Sequence, residues 1–172
     1  MLQHTRQAAA DGSAGPDPVS VPLAPVPLAE AILRLRRGEA VALADSAGRV
    51  AAYAAETVPA AALGRVAREG GVRVALTGFR AAALGVAQAG QSPEGESIVL
   101  VTLAQRPEGG TPTLAEIRAL IDPTAPASDR PARARLAVEP AGGREAIAAA
   151  VALAKLAGLL PACVLAPADD SS

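Results

Sequence analysis

Apolar positions along the chain switch repeatedly between a helical period and the runs or alternation of strands. Leu28, Ala31, Ile32 and Leu35 share one helical face, with Pro27 suited to the first turn and Gly38 to the stop. Val41 to Ala44 reads as a strand, Ser46-Ala47-Gly48 as a turn, and Val50 to Ala54 as a returning strand. Thr57 and Pro59 precede a second helix that carries Leu63 and Val66 and stops at Gly70-Gly71. Val72 to Leu76 alternates as a strand, and Thr77 caps a short helix from about Phe79 to Leu84. Residues 88–96 form a polar loop. Ile98 to Leu103 is the most β-like run.

Thr113 with Glu116 makes a capping box for a helix over Ile117, Leu120 and Ile121. A proline-rich loop spans Asp122 to Pro131, and a strand is expected over Arg133 to Val138. Arg144 to Ala157 is the longest helix, closed by Gly158, and Pro161 to Leu165 is the last strand. Alternating helices and strands predict an α/β sandwich, helices packed on a sheet. The first 25 residues lack any period and are broken by Pro16, Pro18, Pro22 and Pro25. Residues 1–25 are therefore expected to be a disordered, removable tail, and residues 26–172 the folded domain.

Composition shapes the expected core. Hydrophobic residues make up 51% of the 172, but there is one Phe, one Tyr and no Trp, and roughly a quarter are Ala. Ala hides little area, and each buried methylene is worth about 0.8 kcal/mol, so Leu, Val and Ile must carry the packing. The net charge of −1 and pI near 5.9 give no basic stripe, and aromatic residues for stacking bases are lacking, which argues against nucleic acid. No apolar run reaches the ~18 residues of a membrane span. The stretch 146–166 is broken by Lys155, Gly158 and Pro161. The start of the chain has no signal-peptide core, and Cys163, the only cysteine, allows no internal disulfide, so a cytoplasmic protein is expected.

Candidate chemistry is sparse. His4 is the only histidine and lies in the tail, which leaves no imidazole-rich metal site and no Ser-His-Asp arrangement. Cys163 stands between Ala162 and Val164 on an apolar strand and reads as a buried, inert thiol. The pairs Gly70-Gly71, Gly109-Gly110 and Gly142-Gly143 match no phosphate-loop fingerprint. Gly142-Gly143-Arg144 opens a helix whose N–H groups suit an anion, with an ordinary turn as the plainer reading. Asp45 ends a strand beside a turn, where a turn-forming role competes with a functional one. Glu145 is explained by the dipole of the helix it opens.

The ordered wording of these segments resembles the 3,4-dihydroxy-2-butanone-4-phosphate synthase family. Leu153-Ala154-Lys155-Leu156-Ala157-Gly158-Leu159-Leu160-Pro161-Ala162-Cys163-Val164 is similar to the family's helix ending in L-A-G-x-x-P-A-G-V. Arg144-Glu145-Ala146 falls on its H-T-E-A, and Arg130-Pro131 on its R-P-G-H. Ala55-Glu56-Thr57 follows its first loop, Arg68-Glu69-Gly70 falls where R-H-G is common, and the opening helix with Val41 to Asp45 matches its start. The resemblance covers about residues 26–170 and implies a mixed sheet with helices packed on it.

The departures point to a degenerate member. Where the family carries an acidic loop close to D-D-E-D-R-E-N-E-G-D, this chain has Asp45-Ser46-Ala47-Gly48-Arg49. The metal-holding Glu has no counterpart, and the His of H-T-E-A falls on Gly143. The His after R-P-G falls near Arg133. The Thr-rich substrate loop is shortened around Gly109 to Thr113, and a late Glu falls near Pro167. The family uses magnesium, which wants several oxygen ligands, so no cofactor is expected here. Asp45, Arg49, Arg130, Arg133 and Glu145 are left as remnants of substrate binding, and no catalytic residue is assigned.

The resemblance further implies a homodimer and a link to GTP cyclohydrolase II, a domain that often follows the synthase in riboflavin synthesis. Ser172 falls about where such a domain would begin. The first reading is thus a non-catalytic synthase-like domain acting by assembly or binding. The alternatives are an active or repurposed enzyme on ribulose 5-phosphate using Asp45, Arg49, Arg130 and Arg133, and a coincidence of fold in an Ala-rich chain.

Overall fold

The computed structural model describes residues 26–68, 71–86, 97–141 and 144–168. The elements follow in the order α1 (Leu28–Arg36), β1 (Val41–Asp45), β2 (Gly48–Ala54), α2 (Ala60–Ala67), β3 (Val72–Thr77) and α3 (Gly78–Ala83). Then come β4 (Ile98–Leu103), α4 (Leu114–Ile121), β5 (Leu136–Pro140), α5 (Glu145–Leu156) and β6 (Ala162–Pro167). The expected tail at residues 1–25, the polar loop at residues 88–96 and the glycines 70, 142 and 143 lie outside the described residues.

The local signals explain the element ends. The Thr113 hydroxyl accepts from the Glu116 N–H at 3.3 Å, and the Glu116 carboxylate accepts from the Thr113 N–H at 2.8 Å, so both halves of the capping box form. Thr77 accepts from the Arg80 N–H and caps α3. α1 ends at Gly38 with φ +76°, where a Cβ would stand 2.4 Å from the Thr57 carbonyl oxygen, so only glycine fits the crossing. The Thr57 hydroxyl closes the same corner by donating to the Leu35 carbonyl at 2.6 Å.

The six strands form one sheet in the order β1-β2-β6-β3-β4-β5. Every pairing is antiparallel, which corrects the expected mixed sheet. The reason is topological. The α2 crossover joins β2 to β3, which run parallel to each other, but β6 inserts between them and runs against both. The last strand of the chain is therefore internal. Its run Ala162 to Ala166 is buried on both faces, as an uninterrupted apolar strand must be. The strand expected over Arg133 to Val138 starts later, at Leu136, because Arg133–Arg135 form one 3-10 turn.

Strand alternation splits the core between the faces. Tyr53, Val72, Val74, Leu76, Val101, Leu103 and Val164 point towards α2 and α4. Ala52, Ala75, Leu100, Cys163 and Leu165 point towards Ile147, Ala150, Val151 and Ala154 of α5. α1 extends the α5 layer through Ala31 and Leu35 against Leu153 and Ala157. The bulkiest fully buried side chains are Leu, Ile and Val, as the composition required, while Phe79 is left 63% exposed.

Candidate functional site

The tight β1–β2 turn pairs Asp45 with Gly48 and projects the Asp45 carboxylate towards the start of α5. One carboxylate oxygen accepts from the Ala47 N–H at 2.8 Å, closing the turn. The other accepts from the Ala146 N–H at 2.8 Å, across 101 positions of sequence. Arg144, at the N-cap position of α5, provides no side-chain cap. Asp45 thus performs the capping task from a different element, satisfying a donor the helix cannot satisfy itself. The bond from Ala146, supported by the Ala47 and Gly48 N–H groups and the charge of Arg144, holds the Asp45 carboxyl below its usual value.

Asp45, Arg49 and Arg144 line a cavity of about 170 Å³ with Ala47, Gly48, Val50, Ala146 and Ile147. Asp45 is the sole carboxylate in that lining, and two guanidinium groups stand with it. Magnesium takes a near-octahedral set of oxygens, so this donor set does not fit the ion. Among the described residues, no three His, Cys, Asp or Glu side chains gather as a metal set.

The five residues singled out in the sequence do not form one constellation. Asp45 and Arg49 share the small cavity. Glu145 is exposed and opens instead onto an apolar groove of about 620 Å³ between α1, β1 and α5. Arg130 and Arg133 belong to the other edge of the sheet. The register places Asp45 and the residues before Leu136 at the same end of the sheet. Five interstrand spacings of about 4.8 Å separate the two edges by roughly 24 Å. Arg133 is exposed, and its guanidinium donates to the Leu136 carbonyl at 3.3 Å.

Arg130 lines a second cavity, of about 310 Å³, with Arg106, Thr113, Glu116, Ser128 and Arg135 among its walls. Its wall includes Glu116, whose carboxylate is ion-paired with Arg135 and lies 3.3 Å from Arg106. Burial opposes ionisation of Glu116. The N–H of Thr113 and the two guanidinium groups outweigh it and hold the carboxyl below its usual value. The sequence exposed Glu116 only as half of a capping box. Its partners Arg106 and Arg135 went unnoticed because they come from other segments, and no local signal marks them. Cys163 is fully buried, and burial pushes its thiol up to about 12, in keeping with an inert side chain.

No protein-family model matches the chain. The chain is 36% identical, over 165 residues, to a GTP cyclohydrolase-2 from Azospirillum brasilense. That match takes in 90% of this chain but spans only 40% of the relative's length. The structure resembles RibBX, a two-domain 3,4-dihydroxy-2-butanone 4-phosphate synthase from A. baumannii, with a TM-score of 0.56 at 19% identity. The likeness covers 84% of this chain and 48% of that one. It also resembles a cation-free 3,4-dihydroxy-2-butanone 4-phosphate synthase, with a TM-score of 0.52 at 21% identity over 84% of this chain and 79% of that one. The chain therefore has the 3,4-dihydroxy-2-butanone 4-phosphate synthase fold, as its sequence resemblance implied. Among the described residues, no helix is long and apolar enough to cross a membrane.

Proposed function

We propose that this chain is a degenerate member of the 3,4-dihydroxy-2-butanone-4-phosphate synthase family. It serves riboflavin biosynthesis in the cytoplasm by assembly or binding rather than by synthase chemistry. The observation that carries the proposal is the employment of Asp45. It is the one carboxylate at the turn where the family has its acidic loop, and both its oxygens are taken by backbone N–H groups. A carboxylate that caps a helix is a poor acid or base, because its bonds favour the ionised form in every step. The arginines that would hold a sugar phosphate are divided between two edges of the sheet.

The partner in this reading is GTP cyclohydrolase II, alongside a second copy of the chain. Support comes from the cyclohydrolase-2 relative, in which the matched stretch is part of a longer protein. Small Ala-rich helices bury little area each, so a domain of this kind gains from covering a further face. Light scattering across a wide concentration range, with and without added GTP cyclohydrolase II, tests the assembly. A dimer or a mixed complex is expected. A monomer throughout, with no cyclohydrolase retained in a pull-down, would remove the assembly role.

A further inference from the structure

The cavity between α4 and the start of β5 sets three arginines against three acidic residues, of which Glu116 is buried. Arg106, Arg130 and Arg135 all line it, with the hydroxyl-bearing Thr113 and Ser128. The Glu116 carboxylate, on a residue only 6% exposed, takes one guanidinium on each oxygen: Arg135 on Oε1 and Arg106 on Oε2. Oε2 also accepts from the Thr113 N–H at 2.8 Å and lies 3.3 Å from its hydroxyl. Arg135 is held in place by a second bond, from Nη2 to the Ala104 carbonyl at 2.8 Å, and its buried Nε has no hydrogen-bond partner. Arg130 has no carboxylate within ion-pair distance among the described residues. Glu108 and Asp129 stand at the wall, and the Ser128 hydroxyl lies 3.3 Å from the Asp129 carboxylate.

We propose that Glu116 is an internal anion that occupies this arginine cavity in place of a phosphate-class ligand and keeps it closed to free anions. The guanidinium fork bonds carboxylate and phosphate oxygens alike, so the two compete for the same donors. A tethered carboxylate competes at an effective concentration on the order of millimolar or more, which a free anion must exceed. Removing the charge of Glu116 while keeping its shape should turn the cavity into a phosphate site. This inference is independent of synthase activity, and its test uses no substrate.

The substitution is Glu116→Gln, because a glutamine oxygen still accepts from the Thr113 N–H and preserves the capping box. Thermal unfolding is followed with inorganic phosphate against chloride at matched ionic strength. The unchanged protein should show no phosphate-dependent rise in Tm. The E116Q protein should gain about 4 °C at a phosphate concentration ten times its Kd, and adding Arg130→Ala should diminish that gain. Equal phosphate stabilisation of the unchanged protein, or none in folded E116Q, would overturn the inference. Should E116Q fail to unfold cooperatively, Glu116→Ser, which also removes the charge, provides the second reading: a phosphate gain supports the proposal and no gain overturns it.

Discussion

Asp45 at the β1 edge accepts two backbone N–H bonds beside open solvent, whereas Glu116 near the β5 edge is buried under two guanidinium groups. Both carboxylates bind parts of the chain that are distant in sequence, and both titrate low, yet the consequences of losing them differ. Without Asp45, the Ala146 N–H turns to water at little cost. Without Glu116, the largely buried guanidinium of Arg135 loses its counter-ion, and the Thr113 N–H loses its half of the capping box. The comparison teaches that two carboxylates with similar titration differ in structural weight according to what is left uncompensated when each is lost.

The sharpest break of that comparison is Glu116→Ala. Stranding a largely buried charge and losing half of the capping box should cost about 3 kcal/mol of stability, read from the shift in urea midpoint at constant slope. A loss under about 1 kcal/mol would place Glu116 among ordinary surface pairs. The acid limb of stability is the next test. The folded pKa values of Glu116 and Asp45 lie below their unfolded values, so the stability they confer is fully present above about pH 5. It is lost as pH falls through the folded values. Tm should therefore drop as the pH falls below about 5, and the drop should be blunted in E116Q more than in Asp45→Asn. An equal or reversed order would equate the two edges.

Asp45→Ala alone should lower Tm slightly and increase hydrogen exchange at Ala146 while leaving the middle of α5 protected. Exchange that rises throughout α5 would show that the turn anchors the whole helix. The smallest effect belongs to Arg133→Ala, which removes an exposed side chain whose bond to the Leu136 carbonyl is local. Its stability should stay within about 0.5 kcal/mol of the parent.

Much of the fold was legible because its signals are local. The β run of Ile98 to Leu103, the Thr113–Glu116 capping box, the Thr77 cap and the Gly38 stop each depend on a few adjacent residues, and each forms where expected. The insertion of β6 between β2 and β3 was hidden, because an apolar run announces two-sided burial without naming its neighbours. The start of β5 was misplaced since Arg135, in a pattern resembling alternation, turns to meet Glu116 19 positions away. The site was least legible. Asp45 stands out in the sequence only as a carboxylate at a turn, and its bond to Ala146 joins that turn to a helix far along the chain. Arg130 and Arg133, near neighbours in sequence, are both exposed, and only Arg130 lines the cavity.

The proposed degenerate role requires that the fold persist here without synthase chemistry. Its most direct test supplies the purified chain with ribulose 5-phosphate and magnesium and follows formate by proton NMR, with an active synthase as the positive control. No formate above the protein-free background is expected, and the same result for Asp45→Asn. Magnesium-dependent formate release that disappears in Asp45→Asn would contradict it and make Asp45 a catalytic residue.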